Sequence, residues 1–170
     1  IKNNTSLSFN FTLAKGRGRY LCLSKLDRIL MTDDSSVDLS QSFLADDAAP
    51  ADAQAITIYN SMVDAMSAGK WDGDRDSWKT EIDPAVWAPV TTNHRECTGR
   101  RCSNVNSCSL FKARDAIDKY DLIVANHDLV LADLALGGGA ILPSPEDTIY
   151  IFDEGHHLPD KALNHFSYHT

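Results

Sequence analysis

Four cysteines are the residues of this 170-residue chain best suited to chemistry. Cys97, Cys102 and Cys108 fall in the run C-T-G-R-R-C-S-N-V-N-S-C, with four residues between the first pair and five between the second. Cys22 stands apart, with 74 residues between it and Cys97. Four thiolates can hold Zn²⁺, a 2Fe-2S cluster or a 4Fe-4S cluster. Structural zinc usually takes cysteines two residues apart, because a tight turn then brings both sulfurs onto one ion. The spacings here are wider than that knuckle. A cubane offers separate iron corners to more widely spread ligands. Disulfides need an oxidising compartment, for which the sequence carries no signal. Spacing alone leaves three readings open: an iron–sulfur cluster, zinc, and four unligated or disulfide-bonded cysteines.

A second constellation ends the apolar run 148–152, which reads as a buried strand and leads into Asp153-Glu154-Gly155-His156-His157. A hydrophobic strand ending in Asp-Glu is the Walker B layout. In that layout Asp153 holds Mg²⁺, usually through water, and Glu154 polarises the water that attacks a γ-phosphate. His156 can then couple the nucleotide to bound nucleic acid. A metallohydrolase cluster of Asp153, Glu154, His156 and His157 competes with this reading. So do plain solvated residues at a strand end. The first competitor is weakened because adjacent histidines usually point apart and no H-E-x-x-H spacing occurs.

A net charge of −8 argues against a nucleic-acid partner until its distribution is considered. Lys15, Arg17, Arg19, Lys25 and Arg28 surround Cys22 with only Asp27 against them. Arg95, Arg100, Arg101, Lys112 and Arg114 flank the cysteine trio with only Glu96 against them. Ten of the sixteen basic residues therefore travel with the cysteines. If the sulfurs meet, the basic runs meet too and form a positive patch on an acidic body, the footprint of a phosphate-backbone binder. The bland alternative is that these cations neutralise thiolates or solvate a loop. Lys15, Arg17, Arg19, Arg100 and Arg101 are the residues expected to contact the backbone. No apolar stretch is long enough to span a membrane, and the first residues lack the apolar run of a signal peptide.

The elements that must position these residues follow from periodicity. Alternating Leu7, Phe9, Phe11 and Leu13 predict a strand, and Leu23, Leu26 and Leu30 a helix over 21–30. Residues 32–53 read as a solvated acidic loop. A helix follows to about residue 68 with Ile56, Tyr59, Val63 and Met66 on one face. Trp71, Trp78 and Trp87 are expected to pack a small core rather than stack on bases. Pro84 fits the first turn of a short helix. Residues 93–108 read as a loop, and Ser107 or Cys108 opens a helix carrying Leu110, Phe111, Ala113 and Ile117. Residues 122–125 read as a buried parallel strand. Asn126 caps a helix that the glycines at 137–139 end. Residues 109–170 thus alternate helix and strand, an α/β pattern with a parallel sheet, whose ligands bind at the carboxyl ends of the strands. Residues 15–108 read as an irregular, helical, cysteine-bearing insertion.

Asp153-Glu154-Gly155-His156 resembles the DEAH box, motif II, of the iron–sulfur branch of superfamily 2 DNA helicases, the DinG and XPD type. The run on to Asp160 is similar to the bacterial DinG form. Lys15-Gly16-Arg17-Gly18-Arg19-Tyr20-Leu21-Cys22 resembles that family's entry into its cluster domain. Ala125-Asn126-His127 followed by Leu129 resembles its Asn-His segment. The four cysteines match its ligands in order and spacing, and the long gap after Cys22 is more like DinG than XPD.

The resemblance implies a 4Fe-4S cluster on Cys22, Cys97, Cys102 and Cys108, and Mg²⁺ at Asp153 with ATP in the intact protein. It implies an ATP-dependent helicase moving 5′ to 3′ on single-stranded DNA in repair and replication. Forked DNA, displacement loops and RNA–DNA hybrids are the expected substrates. It also implies a RecA-like helicase domain 1 in 1–14 and 113–170, with a mainly helical cluster domain inserted at 15–112. A monomer in the bacterial cytoplasm, associated with the nucleoid, is expected, with a single-strand-binding protein as a further partner. The pattern departs from the family in having no G-x-x-x-x-G-K-S/T and no motifs of a second RecA-like domain. The chain is therefore expected to be an internal segment that hydrolyses no ATP by itself. Glycine replaces alanine inside the box, which loosens the backbone but removes no functional side chain. The alternative is a nucleic-acid-binding module stabilised by zinc or an iron–sulfur cluster, without ATPase activity.

Overall fold

A computed structural model describes residues 8–34 and 53–167. The start of the expected first strand and nearly all of the expected acidic loop lie outside these residues. The chain divides into two compact units, Arg17–Leu110 and Ile1–Gly16 with Phe111–Thr170.

The Arg17–Leu110 unit is helical. Helix α1 runs Leu23–Asp34, α2 Ala53–Ser67 and α3 Pro84–Trp87. Asp83 starts α3 by accepting the Ala85 N–H at 2.7 Å, and Pro84 occupies its first turn as expected. Leu21, Leu26, Tyr59, Met62, Trp87 and Val90 form the middle of the core, with Trp71 and Ile82 beside them. The buried face of α2 is rotated from the expected one. Ala55, Tyr59 and Met62 are buried, while Ile56, Val63 and Met66 pack half-buried at its side. An apolar stripe is wider than one row of side chains, so periodicity finds the stripe but not its centre line.

The tryptophans pack as expected, and their polar ends are satisfied. Trp87 Nε1 donates to Gly18 O at 2.7 Å and Trp71 Nε1 to Asp74 O at 2.8 Å. Trp78 stands edge-on to Trp71, with ring centroids 4.6 Å apart. Tyr59 donates its hydroxyl to Val86 O at 2.8 Å. These bonds let large amphipathic rings fill the core without stranding a donor.

In the other unit, β1 (Phe11–Ala14) pairs in parallel with β2 (Leu122–Ala125), in a register running from Phe11↔Leu122 to Ala14↔Ala125. Asn10 and Asp121 lock the start of this pairing. The Asn10 N–H donates to Asp121 Oδ2 at 2.9 Å, and the Asp121 N–H to Asn10 Oδ1 at 2.7 Å. Ala14, Ile123 and Ala125 pack toward Ile117, Val130 and Leu142. The opposite face leaves Phe11, Leu13, Leu122 and Val124 exposed. The strand 122–125 is therefore covered on one face only, not buried as expected. A two-stranded parallel sheet with helices fits an α/β domain.

Helix α4 (Ser109–Asp115) buries Leu110 and Phe111 but turns Ala113 outward, against expectation. Ile117 is buried in the turn that follows. Helix α5 (His127–Ala135) starts where Asn126 Oδ1 accepts the Leu129 N–H at 2.8 Å, as its sequence signals. Helix α6 spans Leu158–Phe166, and Lys161 reaches Asp128 of α5 at 2.8 Å.

The expected second strand at 148–152 is absent. Ile149 is 90% exposed and Ile151 89%, and only Tyr150 turns in against the Ile117–Val130–Leu142 cluster. An apolar run makes a strand only when a neighbouring backbone completes the ladder, and among the described residues none pairs with this segment. No helix among the described residues is long and apolar enough to cross a membrane.

Asp133 is a feature the sequence does not disclose. It is fully buried. Its Oδ1 accepts the N–H groups of Ala140 at 2.9 Å, Ile141 at 2.6 Å and Leu142 at 3.3 Å. Its Oδ2 accepts that of Gly139 at 3.0 Å. Gly137, Gly138 and Gly139 all take positive φ to wrap the chain around this carboxylate. Asp133→Ala strands several buried N–H groups and is expected to lower unfolding free energy by roughly 3 kcal/mol or more in urea denaturation. A loss below about 1 kcal/mol would show that water replaces the carboxylate.

Candidate metal centre and acidic box

The four cysteines all belong to the Arg17–Leu110 unit, and all are free and half-buried. Cys22 sits at the head of α1. Its carbonyl accepts the N–H groups of Lys25 at 3.1 Å and Leu26 at 3.0 Å, and its own N–H donates to Val90 O at 2.8 Å. That last bond ties it to the core. Cys97 closes a turn begun by Asn93, whose Oδ1 accepts the Arg95 and Glu96 N–H groups. Cys102 follows the short 3₁₀ turn Gly99–Arg101, and Cys108 follows the turn Val105–Ser107. Each gap in the trio is thus about one tight turn long, and the two turns pack together. Gly99 takes φ +66°, which a side chain would resist.

The surroundings of the sulfurs are polar. Arg17 Nη1 donates to Cys97 Sγ at 3.3 Å, and Ser24 Oγ lies 3.2 Å from Cys102 Sγ. Burial raises the Cys22 thiol above its ordinary pKa, opposed by N–H groups of Lys25 and Ser24, and the neighbouring Cys102 and Cys97 sulfurs add to the rise. The Cys102 thiol is held below its ordinary value, first by the Ser24 hydroxyl and then by the Asn104 N–H.

Ligand spacing bears on which metal suits this donor set. Tetrahedral zinc with bonds of about 2.3 Å sets its sulfurs about 3.8 Å apart. Among the described residues, the group of three or more ligand atoms within 4.8 Å of one another is Glu154, His156 and His157, not the cysteines. No three of the cysteine sulfurs are that close to one another. Four half-buried thiols in one unit, with Arg17 donating to Cys97 and the Ser24 hydroxyl beside Cys102, form a donor set that zinc or an iron–sulfur cluster can use.

The expected backbone-contacting cations are placed unequally. Arg17 is turned toward Cys97, and Arg19 pairs with Asp76. Arg100 and Arg101 are exposed on the turn that leads into Cys102. Lys15 belongs to the other unit. Lys25 binds Glu96 at 2.6 Å and holds that carboxyl below its usual range.

The acidic box belongs to the unit that carries the sheet. Asp153 Oδ1 accepts the Glu154 N–H at 3.0 Å, and His127 Nε2 donates to Asp153 O at 2.9 Å. His127, the first residue of α5, therefore holds the box in place. The Asn-His segment is visible in the sequence, but this role is not. Glu154 takes φ 51° and ψ 38°, the left-handed region, and is alone among described non-glycine residues in having positive φ. Such backbone strain concentrates at functional sites. Gly155–His157 form a 3₁₀ turn into α6. His156 Nδ1 lies 3.3 Å from Glu154 Oε2, and the His156 and His157 rings are 4.0 Å apart. The adjacent histidines thus lie together, not apart as expected, because the tight turn brings them to one side. A Cβ on Gly155 would meet Phe152 Cβ at an ordinary 3.8 Å, so the local structure would accept alanine there.

No protein-family profile matches the chain. Over 155 residues, 91% of the chain, it is 44% identical to the ATP-dependent DNA helicase DinG of Photobacterium profundum. Over 152 residues, 89% of the chain, it is 37% identical to the ATP-dependent DNA helicase DinG of Escherichia coli (strain K12). The matched part is 21% of each relative, so the chain spans about one fifth of their length.

Proposed function

We propose that this chain, DinG-like over about nine tenths of its length, is a segment of an ATP-dependent DNA helicase that carries a 4Fe-4S cluster domain and the acidic half of an ATPase site. The observation that supports the cluster is that Cys22 and the distant trio fold into one unit, with Arg17 donating to Cys97 and the Ser24 hydroxyl beside Cys102. Cys22, Cys97, Cys102 and Cys108 are its ligands. When bound, the cluster would tie the head of α1 to the two cysteine-bearing turns and supply a one-electron couple. Residues 15–112 form the inserted domain, and 1–14 with 113–170 belong to RecA-like domain 1.

In the box, Asp153 holds Mg²⁺ and Glu154 orients the attacking water. His127 fixes the Asp153 main chain, and His156, beside Glu154, links the nucleotide site to bound DNA. The intact protein moves 5′ to 3′ on single strands and opens forks, displacement loops or RNA–DNA hybrids. The isolated chain, with no G-x-x-x-x-G-K-S/T, turns over no ATP. Anaerobic purification tests the cluster. About four irons per chain with a brown colour supports it, and a colourless protein with one zinc defeats it. A binding module without ATPase activity would show instead as a full-length protein lacking that phosphate loop.

Exposed Arg100 and Arg101 are the residues we assign to phosphate. Reversing both to glutamate is expected to weaken single-strand binding. It should also flatten the dependence of log K on log salt by roughly 0.7 for each phosphate no longer neutralised. An unchanged slope, measured by fluorescence anisotropy, would remove them from the interface.

A further inference from the structure

The loop between Cys102 and Cys108 is tied to α1 by a polar relay that ends on a cysteine sulfur. Asn104 Nδ2 donates to Asp27 Oδ2 at 2.9 Å and lies 3.5 Å from Ser24 Oγ. Ser24 Oγ in turn lies 3.2 Å from Cys102 Sγ. Ser24 and Asp27 are three residues apart on α1 and so share a helix face. The order of donors follows from chemistry. Carboxylate Asp27 only accepts, so it fixes the Asn104 side chain with its NH₂ group inward. The same NH₂ group reaches toward Ser24 Oγ at 3.5 Å. A metal-bound Cys102 thiolate carries no proton, so across the 3.2 Å contact the Ser24 hydroxyl is the donor.

We propose that Ser24, oriented by Asn104 and Asp27, is a positioning residue that tunes the electron affinity of the metal centre through an O–H···S bond to Cys102. This rests on the 4Fe-4S reading. Adding one electron from a reductant to the oxidised cluster breaks no bond and raises the negative charge spread over iron, sulfide and thiolate. A hydroxyl donor on one thiolate stabilises the more negative state and so favours reduction. The function added is control of the centre's redox set point from α1, by a group that is not a ligand.

The test is a dithionite titration of the anaerobic, cluster-loaded chain with redox mediators. It is followed by electron paramagnetic resonance, with iron and sulfide measured on every sample. Ser24→Ala is expected to lower the reduced-to-oxidised ratio at the wild-type midpoint by about three- to tenfold. Tenfold corresponds to about 59 mV for a one-electron couple. Ser24→Thr, which keeps the hydroxyl, should restore the wild-type ratio, and Asn104→Ala should shift it in the same direction as Ser24→Ala but less. A Ser24→Ala chain with full iron and an unchanged midpoint overturns the proposal. If that variant fails to load, Asn104→Ala and Asp27→Asn decide, since neither side chain has a hydrogen bond to a sulfur. A downward shift supports the relay, and no shift overturns it. A wild-type chain that binds zinc or no iron overturns the cluster reading itself, which is a separate outcome from a loaded cluster with an unmoved potential.

Discussion

Cys22→Ala, purified without oxygen, is expected to carry less than about one iron per chain where the parent carries about four. Its main-chain bonds do not depend on the sulfur. The N–H still reaches Val90 O, and the carbonyl still accepts from Lys25 and Leu26, so α1 keeps its start. What is lost is the sulfur proposed to join α1 to the 97–108 turns. A tie between residues 22 and 97 closes a loop of about half the chain. In the chain-entropy account a cross-link over such a loop is worth roughly 4 kcal/mol. Iron loss should therefore come with a lower unfolding free energy for the Arg17–Leu110 unit. Two measurements check this, iron by elemental analysis and stability by denaturant titration. A Cys22→Ala protein that stays brown with full iron would show that the distant cysteine is not a ligand.

Glu154→Gln in the full-length protein is expected to lower ATP turnover by about 10²–10⁴-fold while ATP binding changes by less than about threefold. Glutamine keeps the size of the side chain and removes only the charge that polarises water. The substitution is well placed to isolate chemistry because Glu154 is exposed and no core packing depends on it. Gly155→Ala is its control. Beyond its two chain neighbours, nothing lies closer than 3.8 Å to where the new Cβ would stand, so turnover should stay within about twofold. Steady-state hydrolysis with a separate nucleotide-binding assay distinguishes the two. If Glu154→Gln hydrolyses ATP at the parental rate, another group orients the water and the box does not act as a Walker B motif.

Local signals in this chain translate directly into local structure. Asn126 capping α5, Pro84 in the first turn of α3 and the three glycines after α5 are legible because each acts within a few residues of itself. The tryptophans are legible as core because large apolar area leaves water wherever a partner face exists. The four cysteines by type and spacing leave three readings open, and only the family resemblance favours a cluster among them.

What the sequence does not hold is the identity of distant partners. Residues 148–152 have the apolar, β-prone composition of a buried strand, yet among the described residues they remain outside any ladder, since a ladder depends on a second backbone that composition does not contain. Arg17 and Arg19 look alike as cations beside Cys22. Folding points one at a sulfur and the other at Asp76, because charges settle on whichever partner the chain brings close. Asp133, unremarkable among the acidic residues, becomes the buried acceptor of four main-chain N–H groups only when the loop after α5 closes around it. Composition and spacing by themselves determined which residue types are on hand for chemistry: four cysteines and an Asp-Glu-Gly-His run. Tertiary structure decided which donors face which sulfurs and how Glu154 is held. Those contacts join residues up to about 80 positions apart, and only a folded backbone sets their distance.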